Sequence, residues 1–240
     1  SEFRSSAHFH KAAELVRNGV IGKLHTVRTG SPREVFPSEP PVAAPPPAHL
    51  DYDLWLGPAP QVEYMQKRVH PPRTLDARPG WMRCLDYCDG MICNWGTHLN
   101  DIAQWGAGTE RTGPVELKAT GQFHADPVWN VLASFDAWYK FAGGVELFYQ
   151  MGKPHVRFEG EKGWLQVEYP GQLTASDPAL LKTKLGPVAN LATSLRSAVD
   201  RGYIDKRVVG QGLGATYSAG PRLLREIRYT PHQLELDFGD

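Results

Sequence analysis

Between Asp89 and Gly106 the sequence reads DGMICNWGTHLNDIAQWG, which gathers Cys93, Asn94, His98, Asn100 and Asp101 beside Trp95 and Trp105. A histidine titrates near neutrality and can give and take a proton at a hydroxyl, so His98 is the first candidate for acid/base chemistry. Asn94 stands four residues before it. An amide there can hydrogen-bond a hydroxyl but cannot act as a base, which casts Asn94 as a positioner. His98 and Asp101 are three apart, and on a helix that spacing puts both on one face. This pair has the types and spacing of metal ligands, as have His124 and Asp126 if they share one face of a strand. A divalent zinc or manganese ion there would convert a bound water into a nucleophile. The spacing also recurs by chance, and Asp101 equally suits a hydrogen bond near a helix N-terminus, so metal remains a secondary expectation.

Arg83, Asp86, Tyr87 and Trp95 flank the motif with aromatic faces for stacking and charged groups for hydroxyls, the types that contact sugars. Cys84, Cys88 and Cys93 run as C-x3-C-x4-C, which is not a zinc-knuckle spacing, and an odd number favours reduced thiols. Cys88 or Cys93 becomes a nucleophile only with His98 in hydrogen-bond reach; otherwise they serve as small apolar residues.

These residues need elements to hold them. SAHFHKAAELVRNG puts Phe9, Ala12, Ala13 and Val16 on one helical face, with Gly19 where a glycine ends a helix. LHTVRTG alternates and is rich in valine and threonine, predicting a strand. Residues 32–48 are dense in proline and can supply neither a central strand nor a helix interior, so an extended surface arm is expected. DYDLWLGPAP closes on a Gly-Pro turn, and THLNDIAQW predicts a short helix with Thr97 as N-cap. In WNVLASFDAWYKF, Trp129, Val131, Ala133, Phe135, Ala137, Tyr139 and Phe141 fall on one strand face. PVELKATGQF, GVELFYQM, HVRFEG and GWLQVEY add further strands, and a helix is expected over 191–202. Trp105 and Trp129 are assigned to the core. The fold class is therefore α+β: a mostly antiparallel, open-faced sheet with a few helices packed on one side. SEF at the start reads as a cloning remnant and is left out, so residues 4–240 form the expected single domain.

Composition narrows the function. The 240 residues carry 26 Lys plus Arg against 26 Asp plus Glu, with no long basic run, so the footprint of nucleic-acid binding is absent. No apolar run reaches the roughly 18 residues of a membrane span, and no signal peptide opens the chain. A soluble, cytoplasmic protein with a small-molecule substrate is the expectation. Gly210, Gly212 and Ala215 satisfy G-x-G-x-x-[GA], yet the strand-helix-strand unit and the later acidic residue that dinucleotide binding needs are missing, so a glycine turn is expected instead.

HKAAELVRNGVIGK, DYDLWLGPAP, WMRCLDYCDGMICNWGTHLNDIAQWG, TGPVEL and VRFEGEKGW resemble, in this order, segments of the Gfo/Idh/MocA oxidoreductases, which act on sugars and cyclitols. The resemblance spans about residues 7 to 186, and residues 187–240 depart from it. It implies that His98 projects into a sugar site and that Asn94 stands where many relatives have an acid. It also implies pairing of copies through the sheet face and the proline arm. Family members carry an N-terminal Rossmann domain that binds NAD or NADP and supplies a catalytic lysine, and the sequence begins where that domain ends. The resemblance thus implies a detached substrate domain, with no NAD(P) expected on this chain and no hydride transfer by itself. Two rivals stand beside it: a cofactor-free hydrolase of activated esters or phosphoesters, and a self-assembly module.

Overall fold

The computed structural model describes residues 1–39, 41–70 and 78–185, together with the backbone of two short strands at 204–208 and 215–219. Helix α1 (Ala7–Arg17) buries Phe9, Ala12, Ala13, Leu15 and Val16, the stripe that its periodicity predicts. Strand β1 (Leu24–Ser31) follows. In residues 32–48 no described residue belongs to a helix or strand ladder; Ala43 bridges Met65, and the Ala44 amide donates to the Tyr64 carbonyl at 2.9 Å. The segment is thus joined at Ala43 and Ala44 to Met65 and Tyr64, between the short helices α2 (Tyr52–Leu56) and α3 (Gln66–Val69).

Helix α4 (Met91–Ala107) is the longest helix among the described residues. After it come β2 (Glu116–Phe123), β3 (Leu132–Lys140), β4 (Glu146–Met151), β5 (His155–Gly160), β6 (Gly163–Glu168), β7 (Gln172–Ala175) and the short α5 (Pro178–Leu181). The seven strands form one sheet in the order β2-β3-β4-β1-β5-β6-β7. Every pair is antiparallel except β1 with β4. Helices α1 and α4 share one core with Val27, Leu147, Val156, Phe158, Leu165 and Val167, the alternate residues of the central strands. Trp105 and Trp129 are buried, as expected. The fold is α+β.

Residues of the opposite parity line up across the other face. Lys118, Trp138, Phe148, Arg28, Arg157 and Gln166 are register partners in succession from β2 to β6. Cations sit over rings along this row: Lys118 over Trp138 at 5.1 Å, Arg28 over Phe148 at 4.7 Å, and Arg157 over the neighbouring Trp164 at 4.0 Å.

Strands β8 (Ile204–Val208) and β9 (Ala215–Ala219) pair antiparallel. Ala215 therefore opens a strand, where a dinucleotide fingerprint requires a helix. The helix expected over 191–202 and the glycines between β8 and β9 lie outside the described residues. Among the described residues, no helix is long and apolar enough to cross a membrane.

Candidate functional site

Helix α4 begins at Gly90, whose φ of +70° suits glycine alone, and ends at Gly108 with φ +71°. Thr97 is thus not the N-cap that its type suggested. It lies inside the helix, and its hydroxyl donates back to the Cys93 carbonyl at 2.7 Å. The first turns before Thr97 include Met91 and Gly96, which are buried, so packing overrides the local cap preference. The consequence is that Asn94, His98 and Asp101 fall on one stripe, one turn apart.

Two anchors fix this stripe relative to the sheet. The Tyr149 hydroxyl donates toward the carbonyls of Met91 and Ile92, each at 3.1 Å, tying the first turn of α4 to β4. Buried Thr29 on β1 donates to the Asn100 side-chain oxygen at 2.8 Å. Gly96 permits the approach, since a Cβ there would lie 3.1 Å from the Tyr149 hydroxyl.

His98 is stacked on Phe3, with ring centroids 4.8 Å apart and planes inclined by 27°. Phe3 is itself buried, and it also stacks on Phe9 at 4.7 Å and Tyr169 at 5.7 Å. Trp95 packs beside this group, edge-on to Tyr169 at 5.1 Å and to His98 at 6.5 Å. The His98 Nδ1 is buried without a hydrogen-bond partner among the described residues, while Nε2 lies 4.0 Å from the Glu2 carboxylate. Phe3, in the leading SEF, packs against the ring of the candidate base. Phe3, Arg4 and Tyr169 are the residues that sequence reasoning missed.

Asp101 is turned away from a shared role with His98. Arg4 reaches both of its oxygens, Nε at 2.8 Å and Nη2 at 2.5 Å, and the Ser1 ammonium lies 2.8 Å from one of them. Burial works to raise the Asp101 pKa, but the bonds from Arg4 and the ammonium outweigh it and hold the carboxyl below its ordinary range. Among the described residues, no three His, Cys, Asp or Glu side chains come together in a metal-binding group. His124 and Asp126 do not line a strand face, because β2 ends at Phe123. Asp126 accepts from the amides of Val128 and Trp129 at 2.8 and 2.9 Å, and the His124 ring stacks on Phe36 at 3.8 Å. The pair builds a turn.

The flanking candidates divide into two groups. Trp95 packs beside His98. Arg83 is committed to the arm: it pairs with Glu34 at 3.0 Å and donates to the Val35 carbonyl at 2.7 Å, its side chain 11% exposed against 1% for Glu34. Burial raises the Glu34 pKa against the pull of Arg83. Tyr87 meets the Trp55 ring edge-on at 5.2 Å, and Asp86 is exposed on the same loop. Among the described residues, no hydrogen bond, ion pair or ring contact joins Arg83, Asp86 or Tyr87 to His98. The three cysteines are free. Burial pushes the Cys84 thiol up to about 12 and raises that of Cys88, the opposite of what a nucleophile needs.

A family described as the oxidoreductase family, C-terminal alpha/beta domain, of the Gfo/Idh/MocA group matches residues 39–172. No curated protein matches the sequence. Among solved structures, the chain is similar to the aldose-aldose oxidoreductase of Caulobacter crescentus complexed with glycerol, at 17% identity and a TM-score of 0.49, over 73% of this chain and 43% of that one. It is also similar to the WlbA dehydrogenase of Bordetella pertussis in complex with NADH and UDP-GlcNAcA, at 13% identity and a TM-score of 0.46, over 76% of this chain and 47% of that one. An oxidoreductase domain protein of Kribbella flavida matches at 15% identity and a TM-score of 0.45, over 74% and 42% of the two chains. The chain thus spans less than half the length of these structures. With the family covering more than half of its 240 residues, the chain belongs to the Gfo/Idh/MocA oxidoreductases, as their C-terminal alpha/beta domain.

Proposed function

We propose that this chain is the substrate-holding part of a sugar or cyclitol oxidoreductase, with His98 as the group that exchanges a proton with a substrate hydroxyl. The observation that carries the reading is the stripe of α4 on which Asn94 and His98 stand one turn apart, with Trp95 beside them. An imidazole suits proton exchange near neutrality, an indole face suits stacking on a sugar ring, and an amide suits orienting a hydroxyl. Asp101 is paired with Arg4 rather than holding a proton in flight, Arg83 fastens the arm at Glu34 and Val35, and Tyr87 packs on Trp55. Ala215, the last position of the glycine fingerprint, opens β9 rather than a helix, which does not favour a nicotinamide dinucleotide at that stretch.

Saturation-transfer NMR with a panel of hexoses and inositols tests the reading. Transfer to one of these ligands that disappears in His98→Ala supports it. Equal transfer in His98→Ala and the unaltered chain, or none for any ligand, overturns it.

A second reading concerns assembly. The cation-aromatic row across the open sheet face supports pairing of two copies through that face. Each exposed cation-π contact contributes about 0.5–1 kcal/mol, and such a row gains when a partner removes it from water. Sedimentation showing a monomer at micromolar concentration would remove this reading.

A further inference from the structure

Strand β2 is one edge of the sheet, and among the described residues it pairs with β3 alone. Its outer side therefore presents a row of backbone N–H and C=O groups with no strand beside them. The opposite edge is better protected: β7 has only four residues, and Leu173 and Ala175 pack against the core together with Leu180 of α5. β2 has eight residues, and every one of them is exposed. Leu117 is the register partner of Tyr139, and Tyr139 of Leu147, so Leu117, Ala119, Gly121 and Phe123 fall on the face that carries the helices. The helix layer leaves them bare, with Leu117 58% and Phe123 61% exposed. A strand that is unpaired along one side and apolar on one uncovered face has the chemistry to take up another strand.

We propose that the strand it takes up is β2 of a second copy of this chain, paired antiparallel about a two-fold axis at Thr120, so that two seven-stranded sheets run on as one. An axis normal to the sheet keeps both helix layers on one side, and the alternation of the strand then sets which residues can meet. With the axis at Thr120, Leu117 faces Phe123 twice, once on each side of the axis, and the small pair Ala119 and Gly121 lies between these contacts. On the other face Thr120 meets Thr120 and Lys118 meets Gln122, while Glu116 comes beside His124. No like charges are opposed, and threonine pairs and aromatic–aliphatic pairs are among the cross-strand contacts that stabilise a ladder. Moving the axis by two residues toward either end shortens the ladder and separates Leu117 from Phe123. This edge is distinct from the open face with its cation–aromatic row, and the pairing depends on no role of His98.

The test uses the full chain. Residues paired across an antiparallel ladder have Cα atoms about 4.5–5.5 Å apart, inside the range that a disulfide spans. Thr120→Cys, made together with Cys93→Ser to remove the exposed native thiol, is expected to form a covalent dimer on mild oxidation. Gly143→Cys in the same background, on an exposed turn away from this edge, is the control and stays monomeric on a denaturing gel. Thr120→Lys and Thr120→Glu each oppose like charges on the axis and weaken the dimer in sedimentation by about fivefold, and mixing the two restores it. Arg157→Glu, on the open face four strands away, leaves the Thr120→Cys crosslink unchanged, which separates this edge from pairing through the open face. The proposal is overturned if Thr120→Cys crosslinks no more than Gly143→Cys, or if the mixed charge variants sediment no differently from either alone. Slow hydrogen exchange of the β2 amides at a dilution where the chain is monomeric would also overturn it, since the strand would then be covered within its own chain.

Discussion

Arg4 and Asp101, 97 residues apart in sequence, meet in a two-pronged ion pair, Nε to Oδ2 at 2.8 Å and Nη2 to Oδ1 at 2.5 Å. Both side chains are about one-fifth exposed, at 20% and 22%, so the pair is only partly screened by solvent. Arg4→Met removes charge-assisted bonds and leaves the carboxylate half-buried. The expected cost is roughly 1–3 kcal/mol in urea unfolding.

The same carboxylate sets an acid limb. Its folded pKa is depressed, so its contribution is fully present above the unfolded value of about 3.9 and is lost as pH falls through the folded value. Unfolding free energy measured from pH 6 downward should fall more steeply in the unaltered chain than in Asp101→Asn. Parallel curves would show that the ion pair contributes nothing to folding.

Glu34 behaves in the opposite sense. Burial raises its pKa, so its contribution is fullest below the unfolded value of about 4.3 and declines as pH rises through the folded value. Glu34→Gln should therefore flatten the loss of stability on that side while keeping an acceptor for Arg83. Arg83→Ala leaves a buried carboxylate unpaired and should cost about 3–5 kcal/mol, with faster proteolysis in the arm.

Gly96 tests how closely α4 sits on the sheet. Alanine normally gains about 1 kcal/mol over glycine inside a helix. Here its Cβ would press on Tyr149, which is 1% exposed and anchored by its hydroxyl to two carbonyls. Gly96→Ala should lower the melting temperature, and Gly96→Val should cost roughly 1–3 kcal/mol. A more stable Gly96→Ala would mean that the helix has room to shift.

Asn94 should matter to ligand and not to fold. It stands half-buried on the His98 stripe, so Asn94→Ala should leave the melt unchanged within about 0.5 kcal/mol. Ligand affinity should fall by roughly 0.5–1.5 kcal/mol, the net worth of one hydrogen bond. Unchanged affinity for a ligand that His98→Ala abolishes would remove Asn94 from the site.

Much of the fold was legible because it depends on near neighbours in sequence. The stripe of Phe9, Ala12, Ala13 and Val16, the alternation through Phe135 and Ala137, and the prolines of the arm each express a local rule of backbone and burial. Thr97 has the chemistry of a cap, yet α4 starts at Gly90, which offers only a backbone conformation that composition does not display. His124 and Asp126 suited a strand face by spacing, but the strand ends at Phe123, before either of them.

The sequence by itself determined which residue types stand on which element: an antiparallel sheet backed by helices, a histidine and an amide on one helix, and a family pattern that joins them. Only the tertiary structure decided what each polar group meets. Asp101 could have faced a metal, a hydroxyl or a helix N-terminus, and it faces Arg4; Arg83 could have met a sugar, and it meets Glu34. Phe3 carried no periodic signal and became the ring against His98. The reason is physical: secondary structure follows from contacts within a few residues, while a side chain's partner is chosen among segments that folding brings together from far along the chain.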